Sequence, residues 1–193
     1  MTNQKDKAIF QAALQLFSVN GFERTTMEDI ASQAKVAKGT LFYRHKSKEE
    51  LFVSMIRWTI DQFVATVKES AENVEGAIQQ LEKLIEVQTK LSFEHPEFVK
   101  VLLSEVWGRQ DRQLLLRESL REYLQFIEKI IQEGIEKKEI RPLGPELLAV
   151  SIFGMTAAAS LRILLSNQNI SYEATVEEIK GYWLTGIKLS ENL

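Results

Sequence analysis

The chain is 193 residues long, 45% hydrophobic and 26% charged, with a formal net charge of −3 and no cysteine. These values are ordinary for a soluble globular protein with enough chain for one large or two small domains, and they exclude a disulfide framework. Only three prolines and nine glycines interrupt a sequence rich in helix formers, and no period-2 strand stands out, so the expected fold class is all-α.

The opening M-T-N-Q-K-D-K has no apolar signal core, which together with the missing cysteines suits a cytoplasmic protein. A helix over about 5–20 places Ile9, Ala12, Ala13, Leu16 and Phe17 on one face, and Gly21 can end it. Residues 25–51 then read T-T-M-E-D-I-A-S-Q-A-K-V-A-K-G-T-L-F-Y-R-H-K-S-K-E-E-L. Thr26 and Asp29 have the spacing of a capping box, as do Thr25 and Glu28 one residue earlier. Ile30, Ala31 and Ala34 give this short helix one apolar face, and small Ala31 permits a close helix–helix approach. Val36 packs inward from the turn. Lys38, Gly39 and Thr40 open a second short helix with Leu41 on its buried side, and Ser47 with Glu50 caps a third. Two short helices around a tight turn are the layout of a helix-turn-helix, which sets its second helix in the DNA major groove.

With the preceding S-V-N-G-F at 18–22, the runs T-T-M-E-D-I-A-S-Q-A and V-A-K-G-T-L-F-Y-R-H-K-S-K-E-E-L resemble the TetR/AcrR family of bacterial transcription regulators over roughly the first 50 residues. The resemblance implies a three-helix helix-turn-helix DNA-binding domain over 1–48 and a helical effector-binding and dimerisation domain over 49–193, about nine helices in all. It also implies DNA contacts from Thr26, Met27, Lys38, Gly39, Thr40, Tyr43, Arg44 and Lys48. Helix N-termini attract phosphates, which suits Thr26 and Lys48 to backbone contacts. Arg44 is the candidate for a bidentate contact to guanine. Three positions depart from the family pattern: Lys35 replaces a turn glycine, Phe42 a tyrosine and His45 a phenylalanine. Residues 1–48 carry eight Lys or Arg and four Asp or Glu, a net of +4, against −7 for the remainder. A basic head on an acidic body fits a unit that sits on phosphate.

Further helices are expected over about 47–70, 75–93, from Pro96, 112–138, 145–165 and 171–189. The fifteen uncharged residues between Glu146 and Arg162 fall short of the roughly 20 that a membrane span needs. They read instead as an apolar helix that must be covered on every side. A second copy of the chain can supply the cover, through Phe153, Gly154, Ala157, Ala158 and Leu161 with Trp183 and Ile187. The alternative is that these residues fill a monomer core. The family implies a dimeric repressor on a palindromic operator, released by a small molecule. Trp58, Phe63, Phe93, Trp107, Tyr123 and Phe126 are the candidate pocket for a hydrophobic effector, with plain core as the other reading. Arg109, Arg112 and Arg117 could hold an anionic head group such as that of an acyl-coenzyme A, or belong to a solvated helix start. His45 and His95 without a cysteine give no metal cluster, no cofactor motif is present, and nothing resembles a nucleophile motif. The rival to a ligand-gated repressor is a DNA-bound adaptor of the same fold that recruits a protein partner.

Overall fold

A computed structural model describes residues 4–106, 110–166 and 170–187, without the side chains at 103–117, 119 and 164. Nine α-helices follow one another among the described residues: α1 Gln4–Arg24, α2 Met27–Gln33, α3 Lys38–Arg44, α4 Lys48–Glu72, α5 Ala77–Glu94, α6 Pro96–Val106, α7 Gln110–Glu136, α8 Pro145–Leu165 and α9 Tyr172–Ile187. The fold is all-α, as expected. Packing groups the helices into two compact units, 1–60 with 96–116 and 61–95 with 117–193.

In the first unit, α1 buries Ile9, Phe10, Ala12, Ala13, Leu14 and Phe17. Gly21 leaves the helix at φ 77°, a conformation that glycine adopts without a Cβ penalty. Ile30 from α2, Leu41 from α3, and Leu51 and Met55 from α4 are fully buried. The rings of Phe17, Phe22 and Phe52 meet at centroid distances of 5.1–5.5 Å. Helix α6 also packs on α1 and buries Phe98, Val99 and Val101. The packing therefore groups more with the head than the motif at 1–48, because an apolar helix far downstream returns to cover α1.

In the second unit, α5 packs against α8 and α9. The core gathers Val67 of α4, Leu81, Leu84 and Ile85 of α5, Tyr123, Ile127 and Ile131 of α7, Ala149 and Ile152 of α8, and Ile179 and Trp183 of α9. Each such aliphatic side chain contributes about 1.5–3 kcal/mol on burial. Where α7 ends, a Cβ on Gly134 would stand 2.6 Å from that of Ala77, so only glycine lets α5 approach so closely. Glu139 accepts a hydrogen bond at 2.7 Å from the Ala77 N–H and so caps α5 from 62 residues away. Pro145 opens α8, where a missing N–H costs nothing.

Candidate DNA-reading site

The reading site is built by local hydrogen bonds and then fixed by burial. Thr26 Oγ1 accepts the Asp29 N–H at 3.1 Å, and Asp29 Oδ2 accepts the Thr26 N–H at 3.2 Å and its hydroxyl at 2.6 Å. That reciprocal box starts α2 at Met27. The turn closes through the Val36 N–H, which donates to the Ala31 carbonyl at 3.0 Å. Lys35 holds the left-handed backbone at φ 55°, where a lysine costs about 1 kcal/mol more than glycine. Helix α3 has only seven residues and no side-chain cap. It is too short to persist alone, so Leu41, at 0% exposure, holds it in place.

The residues expected to touch DNA fall into two groups. Thr26, Lys38, Gly39 and Tyr43 lie on the surface and Thr40 is half-buried, with Tyr43 the most open at 89%. A Cβ added at Gly39 would meet nothing within 4 Å, so this face is unobstructed. The other residues are engaged within the chain. The Met27 side chain is buried, leaving its backbone as the part that could reach a ligand. Arg44 Nη1 donates to Asp6 Oδ1 of α1 at 2.6 Å, and the pair is largely withdrawn from water. Lys48 Nζ donates to the carbonyls of Phe22 at 2.7 Å and Glu23 at 3.2 Å, and lies 4.4 Å from the Phe22 ring centroid. It caps the end of α1, a role that the motif alone does not announce. Lys38 forms an ion pair with Glu28 of α2, and that contact holds the Glu28 carboxyl below the ordinary carboxylate range.

His45 caps α3 and is buried against Phe10, with ring centroids 5.6 Å apart. Neither ring nitrogen has a hydrogen-bond partner. Burial pushes its pKa down, which the Glu50 and Asp6 carboxylates partly oppose. The sequence pattern did not flag Asp6 or Glu28 as members of this site. Glu28 carried a usable signal, as an acid in the first turn of α2. Asp6 carried none, because its partner lies 38 residues away.

The candidate effector residues do not form one cluster. Trp58 belongs to the first unit, its ring tilted against that of Phe10 with centroids 5.5 Å apart. Phe63 meets Tyr123 edge-on at 6.3 Å, and Tyr123 meets Phe153 at 6.2 Å. Phe93 pairs instead with Tyr172 at 5.8 Å, and Phe126 lies under the Lys68 ammonium. Trp107 and Arg109 lie outside the described residues, as do the side chains of Arg112 and Arg117. Around Tyr123 runs a buried polar chain that aromatic spacing could not show. The Tyr123 hydroxyl donates to Gln88 Oε1 at 2.7 Å, and Gln88 Nε2 donates to Thr156 Oγ1. Burial drives the Tyr123 phenol far above its ordinary pKa, so it stays a neutral donor. Thr89 Oγ1 is also buried and has no partner. Spacing did contain a clue: Leu81, Leu84, Ile85 and Gln88 share one helical face, with the glutamine in an apolar row.

Two residues assigned to the outward face belong inside. Trp183 and Ile187 are 6% and 4% exposed and sit in the core of the second unit. The helical period of α9 turns them with Val176 and Ile179 toward the core, and Gly181, Tyr182, Thr185 and Gly186 face out. On α8, Gly154, Ala158 and Leu161 are exposed, Phe153 and Ala157 half-buried. With Leu147 and Leu165, which are about three-quarters exposed, and Val150, they form an uncovered apolar stripe. By length and composition α8 could cross a membrane, but it carries Thr156 and Ser160 buried against its neighbours.

Residues 9–55 match the model of bacterial regulatory proteins of the tetR family, and residues 74–160 match the tetracyclin repressor-like C-terminal domain. The chain is 38% identical to a solved putative fatty acid metabolism regulator of Clostridium perfringens, over 95% of this chain and 100% of that one, with a TM-score of 0.84. It is 25% identical to the fatty acid metabolism regulator protein of Bacillus subtilis, over 93% of each. The fold also matches that of a Bacillus subtilis FadR in complex with stearoyl-CoA, at a TM-score of 0.83 and 24% identity over 93% of this chain and 98% of that one. Both matched segments thus agree with the geometry, and the chain belongs to the tetR family of bacterial regulatory proteins, DNA-binding transcriptional regulators with a helix-turn-helix head and a helical C-terminal domain.

Proposed function

We propose that this regulator is a repressor of genes of fatty acid metabolism, binds a palindromic operator as a homodimer, and is released by a long-chain acyl-coenzyme A. The carrying observation is the solvent-facing side of α3, with Lys38, Gly39 and Tyr43 exposed, Thr40 half-buried and Leu41 locked behind. Gly39, Thr40 and Tyr43 lead the reading face in this proposal, because among the described residues no side-chain partner engages them as Asp6 engages Arg44. Arg44, held by Asp6, adds base-directed donors from an anchored position, and Lys38 and Lys48 add charge. Lys48 uses two of three ammonium N–H groups on α1 and has a third for a phosphate. Thr26, with its hydroxyl in the capping box, and Met27, through its backbone, set the start of α2 at the DNA surface.

The effector class follows from two fatty acid regulators among the relatives and from the stearoyl-CoA held by a protein of the same fold. In the second unit, the half-buried rings of Phe63 and Phe153 flank the buried Tyr123 and its polar chain to Gln88 and Thr156. Such a pairing suits a ligand with a long hydrocarbon part and one polar junction. The α8 stripe supplies the dimer face, with Gly154, Ala158 and Leu161 at its centre and Tyr182 of α9 beside it. Operating on DNA, the dimer works in the cytoplasm, and its regulation needs no catalysis. A coupling of about 1–3 kcal/mol between effector and operator shifts affinity about 5–150-fold.

The test has two stages. Selection from a random duplex pool should enrich a palindrome with half-sites about one helical turn or more apart. Stearoyl-CoA should then displace the protein from the enriched duplex, whereas free coenzyme A should not. Displacement by both, or by neither, removes the acyl effector from the reading.

A further inference from the structure

We propose that Asp6 and Glu28 are specificity-determining residues of DNA recognition, each restraining one cation of the reading helix so that random duplex is bound weakly relative to the operator. The proposal rests on the DNA-binding reading above. Helix α3 carries two cations, Lys38 in its first turn and Arg44 in its last, and no acid of its own. Each has an acidic partner from a different neighbouring helix: Glu28 from α2 for Lys38, and Asp6 from α1 for Arg44. The head is net positive, but each of the two cations of the reading helix has an acidic partner.

The two pairs differ in a useful way. Lys38 and Glu28 are both more than half exposed, so their pairing is loose and exchangeable. The Arg44 and Asp6 side chains are 27% and 20% exposed, so solvent screens that pair less and the guanidinium plane is held. Non-specific binding draws on mobile cations that replace counterions at phosphates. A cation already paired must give up its partner first, or reach the duplex with the partner's negative charge beside it. Base recognition loses less, since a guanidinium bound through one Nη1–H carries further donors in fixed geometry. Asp6 thus acts as a positioning residue through Arg44, and Glu28 as a competitor of DNA phosphate for Lys38.

The test uses Asp6→Asn, Glu28→Gln and the double variant of the full chain, since each replacement keeps size and an acceptor but removes charge. Affinity is measured across a salt series for a duplex enriched from a random pool and for its shuffled counterpart, with thermal unfolding in parallel. Shuffled-duplex affinity should rise about threefold per substitution and about tenfold in the double variant. The salt slope should steepen by about one unit per released cation per head. The enriched-to-shuffled affinity ratio should fall at least about threefold, whereas a merely structural role would move both affinities together with the melting temperature. A ratio that stays constant while the wild-type chain selects a duplex overturns this proposal alone. A wild-type chain that selects no duplex overturns the DNA-binding reading and this proposal with it. Should Asp6→Asn lower the melting temperature, Glu28→Gln at its exposed site decides the matter alone.

Discussion

Helices α3 and α8 each turn groups toward solvent that the described residues leave uncovered, and they differ in what those groups need. On α3 the open groups are mainly polar, Lys38 and Tyr43 with Thr40 half-buried and Phe42 the one exposed apolar ring among them, and the seven-residue helix is held by the burial of Leu41. On α8 the open groups are apolar, from Leu147 to Leu165, on a helix of 21 residues whose other side fills a core. A polar face in water is at no loss, and what it signals is a hydrogen-bonding partner. An apolar stripe in water forfeits burial, and its natural cover is a second copy of the same surface. The proposed functions divide accordingly, with reading assigned to a short propped element and assembly to a long one whose other side is core.

The sharpest way to separate the two is Gly154→Trp. A Cβ there meets nothing within 4 Å, so the fold should accept the ring while the opposed stripe is blocked. Light scattering should report a monomer that is still folded, with a melting temperature lowered only by the lost subunit contact. Operator affinity should drop by about 10²–10⁴-fold, the avidity of a second head. A dimer of normal affinity would remove α8 from the interface. Leu41→Ala attacks the other side of the comparison. It should destabilise the first unit by about 2–5 kcal/mol and abolish DNA binding while dimerisation survives. Thr26→Ala removes the capping hydroxyl and should cost about 1 kcal/mol in denaturant unfolding. No measurable loss would mean that tertiary packing alone sets the start of α2.

A smaller effect depends on pH. Burial holds the folded pKa of His45 below its ordinary 6.5, so the folded state prefers the neutral ring. Its contribution is fully present above pH 6.5 and is lost as pH falls from there through the folded value. Thermal melts between about pH 7.5 and 5 should therefore decline more steeply for the wild type than for His45→Phe. Parallel declines would contradict the burial of a neutral ring.

What the sequence revealed follows the same division. The α2–turn–α3 head was readable because its determinants are local: Thr26 and Asp29 are three residues apart, and Leu41 falls at a helical spacing inside the motif. The boundaries of α8 and the start of α9 were also readable, from Pro145 and from apolar periodicity, while the expected end of α9 lies outside the described residues. The orientation of α9 was not, since periodicity defines an apolar face without saying whether a core or a partner covers it. Trp183 and Ile187 went to the core for that reason. Arg44 and Lys48 looked like free cations because their partners, Asp6 and the carbonyls of Phe22 and Glu23, lie 25–38 residues away. The polar chain of Gln88, Tyr123 and Thr156 joins three helices far apart in sequence, and no pairwise spacing predicts it.

The most direct test of the central claim is selection of duplex DNA from a random pool by the assembled wild-type protein at low ionic strength. The expected result is a two-fold symmetric consensus whose retention falls steeply with added salt. An unchanged pool, recovered with protein that light scattering shows to be intact and dimeric, would contradict the account.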